Sequence, residues 1–121
     1  MKIERFEDIQ GWQEARSLTK KIYELSNKPP LKVDRGLCNQ IQETSASIMA
    51  NIAESFDRQS EKEFSRFLYY ASGLASEAQS HLYVALGQNY ITKEVFEETY
   101  KQALITKNLI NGFIKYLKGR K

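Results

Sequence analysis

Residues 45–64 read SASIMANIAESFDRQSEKEF. With Leu37 and Ile41 upstream, Ile48 and Ile52 recur at spacings of 4, 7 and 4, which keeps one seam of a helix turned towards a partner. The recurrence fades near Phe56–Gln59. Ser60 then offers a hydroxyl to an orphan amide, and Glu63, three residues on, completes the pattern of a capping box. One helix ends here and another begins, across a connection so short that the two must run antiparallel.

Working outward from that junction, four helical segments account for the chain. The first is expected over 8–26, with Trp12, Ala15, Leu18, Ile22 and Leu25 on one side. The segment NKPPLKVD breaks it, and Asp34 is placed to cap the second helix, 35–58. The third, 61–88, carries Phe64, Phe67, Leu68, Ala71, Leu74, Ala75, Ala78, Leu82 and Leu86, and at ~1.5 Å per residue it should be roughly 40 Å long. GQNYIT is a turn, Thr92 a cap, and Phe96, Tyr100, Ala103, Ile110, Ile114 and Leu117 stripe the fourth helix, 93–118. The expected fold is all-α: one domain over residues 1–121, an antiparallel up-down-up-down four-helix bundle. A chain of 121 residues can bury such a core without staples.

Two helices have more apolar surface than one core can use. Ala46, Ala50 and Ala53 lie opposite the Ile41–Ile48–Ile52 seam, with Met49 nearby. On the fourth helix Ile105, Leu109, Gly112 and Tyr116 form a second row behind the Phe96–Ile114 row. The third has a smooth outer row, Gly73, Ser76 and Ser80, flanked by Tyr69 and Tyr83. Alanines alone are explained by helix propensity. Ile105, Leu109 and Tyr116 are not, so the pattern predicts a homo-oligomer.

Composition narrows the chemistry. Apolar content of 41% and charged content of 27% are ordinary for a globular domain. No apolar run is long enough to span a membrane, the start MKIERFEDIQ has no leader-like apolar region, and a single cysteine, Cys38, fits a reducing compartment; a cytoplasmic protein with no membrane partner is expected. His81 is the only histidine, too few for a usual zinc site or a paired Glu-x-x-His metal site, and Leu74–Ser76 stand where a bundle ribonuclease would carry arginine. There is no Gly-rich phosphate loop and no G-x-S-x-G. The expectation is no metal, no cofactor and no enzymatic activity. His81 reads as an interhelical hydrogen-bonding residue and Cys38 as a small packing residue.

The polar residues of the opening stretch read as a structural seam. Thr44, Asn51 and Arg58 lie seven apart on the flank of the isoleucine seam, with Gln40, Ser47 and Glu54 beside them. Glu54 and Arg58 are spaced for an i,i+4 ion pair. Arg66, Tyr70 and Glu77 form a similar row on the third helix, and Lys107, inside the fourth helix's stripe, must snorkel outward or meet a carboxylate. The predicted seam is Asn51, Glu54, Arg58, Arg66, Glu77 and Lys107.

Net charge is +3, unevenly spread: residues 36–100 carry 4 basic and 9 acidic side chains, whereas 101–121 carry 6 basic and no acidic ones. Lys101, Lys115, Lys118, Arg120 and Lys121 are therefore the candidate phosphate contacts. The alternative is a solvated last turn whose lysines complement the helix dipole.

Taken in order, FEDIQGWQEA, Ile22–Tyr23, Gly36–Leu37, Gln40–Ile41, Ser47–Ile48 with ANIAES, Arg58, EFSRFLYYASG, Glu77, YIT and NGFIKYLK resemble the bacterial four-helix-bundle proteins encoded in intervening sequences of 23S ribosomal RNA genes. That family is similar to the accessory variability determinant of diversity-generating retroelements. The resemblance implies rings, commonly of five subunits, with no known enzymatic activity; for the retroelement relatives it also implies binding to RNA or DNA and to a reverse transcriptase. Gln42 and Glu43 stand where the family usually has a basic pair, and Ser55 where it usually has glycine. The expected function is thus a non-enzymatic oligomeric scaffold or accessory protein with weak, sequence-independent nucleic-acid affinity. A pure protein-interaction module is the alternative, and a hydrolase using Glu54 or Glu77 has the least support.

Overall fold

The computed structural model describes residues 2–119. Among them lie four long helices and no strand: α1 (Gln10–Ser26), α2 (Arg35–Phe56), α3 (Glu61–Gly87) and α4 (Lys93–Lys118), with single 3-10 turns at Phe6–Asp8 and Leu31–Val33. Cross-helix contacts fix the directions. Thr19 reaches Ser45, while Ser26 meets Cys38. Thr44 bonds Glu77, while Phe56 packs on Phe64. Phe64 also meets Phe113, while Tyr83 meets Phe96. Gly11 lies against Ile110, while Lys21 pairs with Glu98. In each helix pair one residue number rises as the other falls, so all four neighbouring pairs are antiparallel. Each helix packs on two neighbours, leaving α2 and α4 on one diagonal and α1 and α3 on the other.

The apolar stripes meet in the centre. Ala15, Leu18, Ile22, Ile41, Ile48, Ile52, Leu68, Ala71, Ala75, Leu82, Phe96, Ala103, Ile110, Ile114 and Leu117 form one continuous buried cluster. Each of its larger aliphatic side chains contributes roughly 1.5–3 kcal/mol on full burial. A second cluster, Leu31, Leu37, Cys38 and Ala85, closes the end that holds the α1–α2 and α3–α4 connections. Several buried hydroxyls are satisfied within their own helices: Ser26 donates to the carbonyl of Ile22, Thr99 to Val95 and Thr106 to Gln102.

The helix boundaries follow local chemistry. Asp34 Oδ1 accepts the Leu37 amide at 3.0 Å, and Thr92 Oγ1 accepts that of Val95 at 3.1 Å. Ser60 Oγ accepts the Glu63 amide at 3.1 Å, but the Glu63 carboxylate turns to Arg66 at 3.1 Å, so only half of the expected capping box is built. Helix α1 starts at Gln10 instead of residue 8. The Asp8 carboxylate accepts the amides of Glu4 and Arg5 and closes a separate turn, and Ile9 follows in an extended conformation with its side chain in the core. Just past the end of α3, Asn89 takes φ 60°, with the Tyr90 amide bonded to the Ala85 carbonyl and the Asn89 amide to that of Leu86. This is the left-handed ending that glycine usually provides, filled by the side chain that tolerates it next best.

Asp34 does a second job. Its Oδ2 accepts the Tyr90 hydroxyl at 3.0 Å, tying the start of α2 to the α3–α4 connection. That hydrogen bond, helped by burial, holds the Tyr90 hydroxyl above the usual tyrosine value. Between α1 and α4, the hydrogen bond from Lys21 draws Glu98 below the usual carboxylate range. The Gln102 amide bonds both the Glu14 carbonyl and its carboxylate.

Candidate functional site

The outer row of α4 borders a groove. Leu109, Gly112 and Tyr116 line it with Phe113, and the opposite wall comes from Ile3, Ile9 and Gly11 ahead of and within the first turn of α1. Its volume is about 330 Å³ and its lining is largely apolar. Two glycines shape it. At Gly11 a Cβ would stand 3.1 Å from Ile110, so the missing side chain lets α1 approach α4. At Gly112 a Cβ would meet nothing within 4 Å, because that side of α4 opens into the groove. Tyr116 is 57% and Ile105 37% exposed, and Leu109 is half-buried. On α2, Ala46 and Ala50 are exposed and Ala53 half-buried. The two rows named as oligomer-interface candidates are therefore largely uncovered in the protomer, on helices that do not neighbour each other.

The six residues of the predicted polar seam do not converge. Asn51 bonds the Ser47 carbonyl of its own helix at 2.9 Å. Glu54 and Arg58 form their i,i+4 pair at 3.2 Å on the exposed side of α2, and the Arg58 guanidinium lies 4.5 Å above the Phe67 ring. Arg66 pairs with Glu63 and leans on Phe67 and Tyr70. Glu77 is the one seam residue among them with a hydrogen bond to another helix, accepting from Thr44 at 2.7 Å with His81 Nε2 3.5 Å away. His81 also lies 3.4 Å from Thr44 Oγ1, an interhelical position. Lys107 is half-buried and makes no ion pair among the described residues, consistent with snorkelling. Sequence spacing grouped Asn51, Glu54 and Arg58 on one helix and Arg66 and Glu77 on the next, but Asn51, Glu54, Arg58 and Arg66 find partners within about a turn along the chain.

Lys101, Lys115 and Lys118 are exposed; Arg120 and Lys121 lie outside the described residues. Lys101 stands roughly 20 Å along α4 from Lys115, at 1.5 Å per residue, and joins no cluster with it. Lys118 donates to the Tyr69 hydroxyl at 2.6 Å and lies 5.1 Å from its ring centre. Packing of α3 on α4 brings Lys62 and Arg66 beside that pair, and Asn111 and Lys115 on its other side. Lys62 was absent from the basic residues singled out in the sequence, because nothing local links it to the end of α4.

Among the described residues no group of three or more His, Cys, Asp or Glu is arranged to hold a metal ion. Cys38 is buried, its thiol pointing at the Leu31 carbonyl at 3.2 Å. No helix of the described residues is long and apolar enough to cross a membrane.

Fold and surface together define a four-helix protein whose distinctive features are external: an apolar groove beside α4 and a basic, aromatic end where α3 starts and α4 finishes. Residues 7–112 match the 23S rRNA-intervening sequence proteins, and the chain belongs to that family. A crystal structure of a protein of unknown function from the S23 ribosomal protein family of Bacteroides thetaiotaomicron is similar, with TM-score 0.80 and 24% identity over 87% of this chain and 95% of that one. At that identity the likeness speaks for the fold. A search of curated proteins finds no match.

Proposed function

We propose that the chain is a non-enzymatic accessory or scaffold protein of the cytoplasm that works as a homo-oligomer and holds nucleic acid weakly through phosphate contacts. The observation that carries this reading is the uncovered α4 row: Tyr116 is 57% exposed beside a largely apolar groove of about 330 Å³. Large apolar side chains gathered around a concavity favour a covering partner. The α2 row of small side chains is a suitable cover, flat enough to approach closely. Because α2 and α4 are diagonal neighbours, contact of one copy's α4 with the next copy's α2 is head-to-tail, which generates a ring when the rotation closes. Five copies is the number the family resemblance implies.

Leu109→Asp places a charge at the centre of that contact. The expected result is dissociation to a single subunit with helicity retained; an unchanged mass in light scattering contradicts the interface. For the nucleic-acid part, affinity for RNA and duplex DNA should fall linearly with salt on a log–log plot, and no binding near about 50 mM salt removes it. A pure protein-interaction module is then the remaining reading, supported by the same groove.

A further inference from the structure

We infer that the surface built by Lys62, Arg66 and Tyr69 of α3 with Asn111, Lys115 and Lys118 of α4 binds a single-stranded nucleic-acid segment, with Tyr69 as its stacking platform. This rests on the nucleic-acid part of the proposed function and names its site and ligand class.

The geometry is that of a ridge between two depressions. Tyr69 and Lys118 border both: one depression, about 660 Å³, also holds Lys62, Ser65 and Arg66, and the other, about 460 Å³, holds Asn111 and Lys115. Tyr69 is 50% exposed, and the bond from Lys118 to its hydroxyl fixes the ring's outer end. The Ser72 hydroxyl donates to Asn111 Oδ1 at 2.7 Å, which leaves the two Asn111 amide hydrogens for an outside acceptor. Cations therefore flank an ordered aromatic ring on both sides. Two carboxylates lie close by: Glu63 takes part of the Arg66 guanidinium, and Glu61 borders the larger depression. Four cations outweigh them.

A ring between cations distinguishes the ligand. Single strands are held by a basic groove that follows the backbone and by aromatic rings on which unpaired bases stack. A duplex hides its bases from such a ring, and an acidic protein segment would use the cations alone.

The test measures fluorescence anisotropy of a labelled oligouridylate of roughly 20 nucleotides with the full chain at several salt concentrations. Tyr69→Leu is expected to weaken binding roughly tenfold, whereas Tyr69→Phe, which keeps the ring, should stay within about twofold of the parent. Replacing Lys115 and Lys118 with Gln should flatten the salt slope by about 0.7 for each lost phosphate contact. Circular dichroism of each variant identifies a folding defect, and the Tyr69→Phe and lysine variants read the site even where Tyr69→Leu misfolds. Three outcomes overturn the inference. Equal affinity of folded Tyr69→Leu and parent for the oligomer leaves weak nucleic-acid binding standing elsewhere on the molecule. Preference for oligoglutamate over oligouridylate assigns the surface to acidic protein segments. No binding of any nucleic acid at low salt removes this inference and the nucleic-acid part of the proposed function together.

Discussion

Tyr90 ties one end of the bundle together through a single hydroxyl. Its bond to Asp34 favours the neutral phenol, so the folded-state value is raised above the ordinary one near 10. A group raised in this way contributes stability fully present below about pH 10 and lost as pH climbs through the folded value. Tyr90→Phe should therefore be less stable than the parent at neutral pH, and the difference should shrink above about pH 10, as followed by urea denaturation. Asp34 as a helix cap was legible, because a cap needs only residues within one turn. Its bond to Tyr90 was not, since it spans 56 residues of sequence. The left-handed Asn89 was also hidden, because GQNYIT reads as a turn without saying which of its residues takes that conformation. Gln79 is a further surprise: its amide nitrogen is buried and has no hydrogen-bond partner among the described residues.

Among the elements, α4 has large apolar side chains both in the core and on its outer side. Ile110, Ile114 and Leu117 are buried in the core, while Ile105 and Tyr116 stay exposed. Both rows were readable because a regular helix converts spacing directly into sides. The start of α1 was not readable, since Asp8 looked like a first-turn acid and instead closes a turn of its own. Gly112 offers a discriminating substitution. Gly112→Ala meets no neighbour in the protomer and should raise helix stability by about 0.5–1 kcal/mol. Against a partner seated in the groove the added methyl would intrude. The expected signature is a higher melting temperature with weaker assembly in sedimentation; a rise in both would mean that nothing packs closely at that position.

At the scale of the whole molecule, the antiparallel four-helix arrangement was legible from short connections and continuous stripes, and Ile41, Ile48 and Ile52 are indeed buried at its centre. The candidate surfaces were legible in part. Ile105, Leu109 and Tyr116 share one helix, so their common side followed from arithmetic. Lys115 and Lys118 were singled out, but their meeting with Tyr69, Lys62 and Arg66 was not, because Tyr69 and Lys118 are 49 residues apart and meet only after α3 packs on α4. The polar seam does not assemble as one row: Asn51, Glu54, Arg58 and Arg66 find partners about a turn away, and Glu77 meets Thr44 across the helices.

Under the proposed head-to-tail contact, the diagonal placement of α2 and α4 would give every copy a plug and a socket that can be spoiled separately. Chains carrying Ala50→Glu keep only the socket, and chains carrying Leu109→Asp keep only the plug. Neither population should polymerise alone, yet an equal mixture should regain one good joint and stop at heterodimers, a complementation visible by native mass spectrometry. A contact made instead by two like surfaces would leave one pure population associated and the mixture no better off.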